Sequence, residues 1–300
     1  MNRISKMLLY LSVALPIASG FLLSETTASW NQSGADAQEK TVIGMNLKEL
    51  RRHYGSELSG LKFDEAQDNL GFLLTNVGNN VEAFFRDLAN TASKEKVQLG
   101  NGRWSLHKEY NYLILPRKSG FPWTEDRTDK EGRPADQDVT GYCISRGYAH
   151  MCVYLHPDHQ KNSIFRCLGR MSKKPRAHVI AFAQKPEARD YLTGYVDRKL
   201  GIAKEFLVQG FIWLDPDSYQ ILRMKTVMLS PDPVLKEQTT DIHYQKVLFK
   251  GIQQPFWLPK EVNIRWKLPR ITYQNKHKYS DFHLFSVETG YKIIPPKTKK

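Results

Sequence analysis

A chain of 300 residues with 41% hydrophobic, 11% aromatic and 25% charged residues can bury enough apolar surface to fold, which excludes a disulfide-stapled miniprotein and a wholly disordered chain. A mean hydropathy of −0.51, with no long apolar run after the first 25 residues, excludes a multi-span membrane protein. The formal net charge is +13, and residues 236–300 carry +8 of it, 13 Lys or Arg against 5 Asp or Glu, so this stretch sets up a field that attracts anions.

Arg3 and Lys6 precede the apolar run from Met7 to Ala18, and small residues follow at Ala18-Ser19-Gly20 and Thr26-Thr27-Ala28. That order reads as a secretory signal peptide over residues 1–28, with an uncleaved N-terminal anchor as the alternative. Residues 29–45, rich in Ser, Asn, Gln and Ala, read as a polar linker. The expected product is exported and periplasmic. Export argues against nucleic acid as the partner of the basic stretch and in favour of an anionic membrane surface or an acidic envelope protein.

The folded part is expected over residues 46–290 as a single domain, with a basic tail at 291–300. Asn46 and Glu49 have the form of a capping box, and Leu47, Leu50 and Tyr54 follow at helical spacing. Asp64 is placed to cap a second segment with Leu70, Leu73, Leu74 and Val77, and the pattern restarts after Gly78 with Val81, Phe84, Phe85 and Leu88. These read as two amphipathic helices or one broken near Gly78.

From Lys94 onward, short β-branched and aromatic runs alternate with Gly, Pro, Asn and Asp. Strands are expected at Tyr110–Leu115, Cys143–Tyr148, Met151–Leu155, Ile164–Leu168, His178–Phe182, Lys204–Leu214, Tyr219–Leu229, Asp241–Phe249, Phe256–Trp266 and His277–Val287. One or two helical turns fit Pro186–Leu192. Asp215-Pro216-Asp217-Ser218 is the strongest turn, with Asp first and Pro second. Arg117–Asp138 reads as a polar excursion at a strand end. The fold class is α+β: a large curved antiparallel sheet with N-terminal amphipathic helices as a lid.

Three cysteines, Cys143, Cys152 and Cys167, are too few for a disulfide scaffold. If Val153–Leu155 and Ile164–Arg166 form a hairpin, Cys152 lies opposite Cys167 and an oxidising compartment permits a bridge between them. Cys152, His156 and His159 also share a strand-and-turn context, but the turn chemistry of Pro157-Asp158 accounts for it, and no metal is expected. No cofactor is expected either: there is no phosphate loop, dinucleotide fingerprint, HExxH or Gly-x-Ser-x-Gly elbow. Glu125, Asp126, Arg127 and Asp129 could divide acid and base roles in a hydrolase, although alternating charges beside a loop read first as surface ion pairs.

The aromatic supply of the later strands is more informative. Phe211, Trp213, Tyr244, Phe249, Trp257 and Trp266 could line one face of a curved sheet and form a concave apolar pocket; core packing is the alternative for each ring.

Three stretches carry a family likeness. Thr91–Val97 with Tyr110–Leu115, then Gln209–Arg223 with its Gly210, Trp213, Asp215 and Pro216, and finally Trp257–Val262 with His277–Phe282, together resemble the LolA-like superfamily of periplasmic envelope proteins. The resemblance implies a half-open β-barrel lidded by helices, with a cavity for lipoprotein acyl chains or other hydrophobic ligands. A RseB-like branch of that superfamily implies stress sensing through a protein partner instead. Three functions therefore stay open: a non-enzymatic exported carrier or sensor for an acyl-bearing ligand, an envelope protein-interaction module without a small ligand, and a hydrolase.

Overall fold

The computed structural model describes residues 41–64, 66–88, 90–116, 123–135, 147–188, 193–197, 202–229 and 233–285. The expected signal peptide, residues 29–40 of the linker, Cys143 with the start of its strand, residues 189–192, and the tail beyond residue 285 lie outside the described residues.

Asn46 caps helix α1 (Leu47–Tyr54): its side chain accepts from the Glu49 backbone at 3.0 Å, and the Glu49 carboxylate accepts from the Asn46 N–H at 2.8 Å. The two orphan donors are satisfied reciprocally, as the sequence implies. Residues 41–45, assigned to the linker from composition, are instead packed. Val42 is fully buried, and its N–H donates to Gln209 Oε1 at 2.7 Å.

Helix α2 (Leu70–Asp87) is continuous through Gly78. Asp64 does not cap it; its side chain accepts from Ala66 N at 3.1 Å, in a turn that precedes the helix. Gly78 marks a close approach. A Cβ there would lie 2.8 Å from Gln160 Nε2, and that amide donates to Leu74 O and Leu155 O at 2.9 and 2.8 Å. The glycine read as a break is therefore the notch that admits helix α3 (Pro157–Gln160).

Among the described residues thirteen strands follow in chain order: β1 Leu61–Phe63, β2 Thr91–Gly100, β3 Trp104–Pro116, β4 Trp123–Thr128, β5 Ser163–Met171, β6 His178–Gln184, β7 Gly194–Asp197, β8 Ile202–Glu205, β9 Val208–Leu214, β10 Ile221–Met228, β11 Glu237–Val247, β12 Phe256–Lys267 and β13 Thr272–Leu284. Eleven form one antiparallel sheet in the order β1-β5-β6-β9-β10-β11-β12-β13-β2-β3-β4, while β7 and β8 pair apart. The edges β1 and β4 are not joined, so the sheet is open. Its curvature shows in the inner core, where Tyr112 of β3 and Cys167 of β5, near opposite ends of the strand order, belong to one buried cluster.

Both faces of the central strands are covered. Ile180, Phe182, Ile212 and Leu214 face the inner core with Leu73, Val77 and Val81 of α2. Their alternating neighbours Val179, Ala181, Phe211 and Trp213 face the opposite side, with Val42, Leu50 and Leu58. This is why every residue of β6 and β9 is buried. It also divides the two helices: α2 covers the inner face, whereas α1 packs on the outer one.

Three expected elements differ. Residues 149–155 form a 3-10 helix with every residue buried, not a strand. A short apolar run buried on all sides does not distinguish the two by periodicity. The hairpin that placed Cys152 opposite Cys167 is therefore absent, and both are buried free thiols. Lys204–Leu214 is two strands, since the chain leaves β8 before β9 enters the main sheet. The polar excursion at Arg117–Asp138 contains β4, whose Glu125 and Arg127 are buried rather than surface ion pairs.

The Asp215–Ser218 hairpin matches expectation. Asp215 Oδ1 accepts from the backbone N–H groups of Asp217 and Ser218 at 3.1 and 2.8 Å, and Trp213 pairs with Arg223 across the turn. The backbone donors hold the Asp215 carboxyl below its ordinary range despite partial burial.

Candidate functional site

Where α2 crosses the inner face above β10, β11 and β12, a half-open cavity of about 260 Å³ remains. Val81, Ala83 and Phe84 form its helical wall, with Ile221, Tyr244 and Phe256 opposite. Helix and sheet are tied at its rim. Asn80 Nδ2 donates to Ser218 O at 2.8 Å, and Gln254 Nε2 donates to Asp87 Oδ2 at 2.9 Å. The helix thus rests on the β9–β10 turn at one point and on the approach to β12 at another. Phe84 and Phe256 sit 6.3 Å apart between these points.

Cys152, from the 3-10 helix, also lines the cavity. Burial pushes its thiol well above the usual thiol range, so it stays protonated and is a poor nucleophile at neutral pH. Tyr244 behaves alike: desolvation, and then the neighbouring Cys152 and Glu125, raise its phenol well above 10. Its hydroxyl is buried without a hydrogen-bond partner in the protein. Among the described residues lining the cavity there is no Asp, Glu, Lys, Arg or His.

Only part of the aromatic set meets here. Tyr244 and Trp257 line the cavity, the latter half-buried with Lys246 Nζ 5.9 Å from its ring centroid. Phe249 stands one ring further back, 5.6 Å from Phe256. Trp266 is fully buried in the inner core, away from the lining. Phe211 and Trp213 lie on the other face of the sheet, where Arg223 covers the Trp213 ring at 4.5 Å and pairs with Asp241 through two hydrogen bonds of 2.8 and 2.6 Å. The expectation of one aromatic face fails because residues 211 and 213 project opposite to 212 and 214. The rim residues Asn80, Gln220 and Gln254 were not legible as site residues; Asn79-Asn80 interrupting the apolar stripe of α2 was the available signal.

A second cluster occupies the inner face over β13, β2, β3 and β4. Glu95, fully buried, accepts from four donors. Arg127 approaches with Nε toward Oε2 and with Nη2 2.8 Å from Oε1; His277 Nδ1 and Tyr279 Oη also reach Oε1, each at 2.8 Å. Tyr148, which leads into the 3-10 helix, closes the set from above with its hydroxyl 3.1 Å from His277 Nε2. Despite opposing desolvation, the Arg127 charge and the hydrogen bonds hold the Glu95 carboxyl at about 2. Burial lowers the His277 pKa below 6.5, against the pull of Glu95. A neutral ring donating from Nδ1 and accepting at Nε2 fits both neighbours. Beside this cluster, buried Glu125 pairs with His150 through the ring Nδ1 and also accepts from the His150 backbone N–H at 3.2 Å.

The acid-base set read from sequence is not assembled. Glu125 is engaged with His150, while Asp129 organises a turn by accepting from Arg133 N at 2.9 Å and Arg133 Nε at 2.7 Å. The rings of His156 and His159 are 5.7 Å apart, but no three His, Cys, Asp or Glu among the described residues form a group that could hold a metal ion. No helix among the described residues is long and apolar enough to cross a membrane.

No family model and no curated protein matches the chain. Solved structures similar to it include a DUF1329 family protein from Desulfovibrio piger, at 10% identity over 72% of this chain and 93% of that one, with a TM-score of 0.39. A LolA superfamily protein from Nitrosomonas europaea is similar at 10% identity over 72% and 94%, TM-score 0.34. A putative outer membrane lipoprotein-sorting protein domain from Vibrio parahaemolyticus is similar at 9% identity over 70% and 90%, TM-score 0.36.

Proposed function

We propose that the protein is an exported binding protein, a carrier or sensor that holds an acyl-bearing or otherwise hydrophobic ligand between α2 and the inner face of the sheet. The observation that carries this reading is the half-open cavity lined by Phe84, Phe256, Trp257 and Tyr244. A few aromatic walls with a small number of polar groups at the rim are what a site for an apolar ligand requires. The exposed Lys246, Lys250, Lys260, Arg265, Lys267 and Lys278 support an approach to anionic membrane surfaces. The protonated Cys152 thiol and the engagement of Glu125 weigh against a hydrolase.

The test is uptake of N-phenyl-1-naphthylamine, an uncharged probe that brightens in apolar surroundings. The wild-type chain is expected to show saturable fluorescence. Ala83→Trp, which fills the cavity from a partly exposed helix position, should weaken uptake at least about tenfold, the loss of roughly 1.4 kcal/mol of binding. Trp213→Phe, on the other face, should leave it within about twofold. Uptake that survives Ala83→Trp, or that falls with Trp213→Phe in a folded protein, would place the probe elsewhere and remove the reading.

A further inference from the structure

The chemistry of the cavity constrains the head group of its ligand, and this deepens the reading above and rests on it. Among the described residues of the lining, the polar side chains are neutral: the amides of Asn80, Gln220 and Gln254, the Tyr244 phenol, and Ser218, whose hydroxyl donates to Asp215 Oδ1 at 2.9 Å. Amides both donate and accept, so they satisfy a hydroxyl or an amide head in either direction. An anionic head finds no such match. Entering beside Phe256 and Trp257, a carboxylate or phosphate would lose water without meeting a cation among the described lining residues, and desolvating an unpaired charge is costly.

The charged side chains near the lining do not repair this, and Glu125, whose charge acts on Tyr244, adds to the repulsion of an anion. Asp87 is 2.9 Å from Gln254 Nε2 and repels an anion, while Arg86 already occupies it through hydrogen bonds of 2.7 and 2.9 Å. Lys246 lies over the Trp257 ring and does not line the cavity. Specificity of this kind comes from what the site refuses as much as from what it binds.

Volume narrows the tail. A cavity of about 150 Å³ accommodates benzene, and sites for drug-sized ligands begin at about 300 Å³. The 260 Å³ found here fits one chain or chain segment, not a bundle of several. We infer that the cavity takes a single-chain amphiphile with an uncharged, hydrogen-bonding head, a hydroxyl or an amide, and that it discriminates against carboxylate and phosphate heads.

Displacement of N-phenyl-1-naphthylamine from the full chain tests this with four ten-carbon competitors held below their micellar concentrations: monodecanoylglycerol, decanamide, decanoate and decyl phosphate. At least one neutral compound is expected to displace the probe at a tenfold lower concentration than either anion, and the stronger of the two identifies the head as hydroxyl or amide. Gln220→Lys, which puts a cation at the rim, should improve decanoate at least fivefold relative to monodecanoylglycerol. Displacement by decanoate or decyl phosphate equal to that by the neutral compounds would overturn the head-group inference while leaving the cavity as a ligand site. So would a Gln220→Lys variant that is folded and unchanged in preference. Absence of any saturable probe uptake in the wild type would instead overturn the proposed function itself.

Discussion

Replacing Glu95 by Gln is expected to cost about 3–5 kcal/mol of stability, the typical effect of removing one member of a buried ion pair. The cause is the group left behind. Arg127 sits in the same buried site, reached by a carboxylate at two of its nitrogens, and a neutral amide cannot compensate its charge. Glutamine keeps one oxygen for His277 and Tyr279, but its NH2 then faces the Arg127 Nε that Glu95 Oε2 accepted from, donor against donor. For a domain of this size the melting temperature should drop by roughly 10 °C, read by calorimetry. In a double-mutant cycle, Arg127→Met combined with Glu95→Gln should cost less than the two single changes added together, because the second change removes the uncompensated charge that the first one created.

The same cluster sets an acid limit. In the unfolded chain Glu95 takes up a proton near 4.5, whereas in the folded protein it holds off until about 2, so the unfolded state binds more protons between these values. His277 acts in the same direction, with an ordinary value of 6.5 and a lower one when folded. Stability contributed by the pair is therefore present above these unfolded values and lost as pH falls, first below 6.5 through His277 and then from 4.5 toward 2 through Glu95. Glu95→Gln should flatten the second part of that decline; a variant as acid-sensitive as the wild type over that range would show that other carboxyls set the limit.

Trp266→Ala is expected to cost about 3–5 kcal/mol, the usual range for deleting a buried large aromatic, and to leave the affinity of the folded protein for the naphthylamine probe within about twofold. The ring is fully buried in β12, beside Tyr273 of β13 and Gln238 of β11 in the register. Trp266→Phe should cost distinctly less, because it also removes an indole N–H that is buried without a protein partner. A Trp266→Ala protein that keeps its stability but loses the probe would return this residue to the ligand site, where the sequence first suggested it.

What was legible in the sequence was local. The Asn46 and Glu49 capping box and the Asp215–Ser218 turn each act within four residues, and both form as written. The meander from β9 to β13 follows from successive short connections. Long-range pairing was hidden. Glu95 stands between exposed Lys94 and Lys96 and looks like part of a charged surface strand, but its partners Arg127 and His277 lie 32 and 182 residues away. Charged side chains that neutralise one another inward also concealed β4, since Glu125 and Arg127 occupy its inward positions.

The site was half legible for a related reason. Composition shows that aromatic residues are plentiful but not on which face each falls, and the single-residue alternation in β9 sends Phe211 and Trp213 away from Ile212 and Leu214. Tyr244 and Trp257 reach the cavity. The helix wall was missed because Ala83 and Asn80 carry no signal until α2 is laid against β10–β12, and the 3-10 helix that brings in Cys152 reads as a strand.

The most direct test of a ligand site under α2 is the mass of the chain, purified after export without detergent, under native and denaturing conditions, for the wild type and for Ala83→Trp. The wild type is expected to carry a small hydrophobic adduct that leaves on denaturation, and Ala83→Trp to carry none. The same adduct on both proteins would contradict the account, because the cavity between helix and sheet would not then be where the ligand is held.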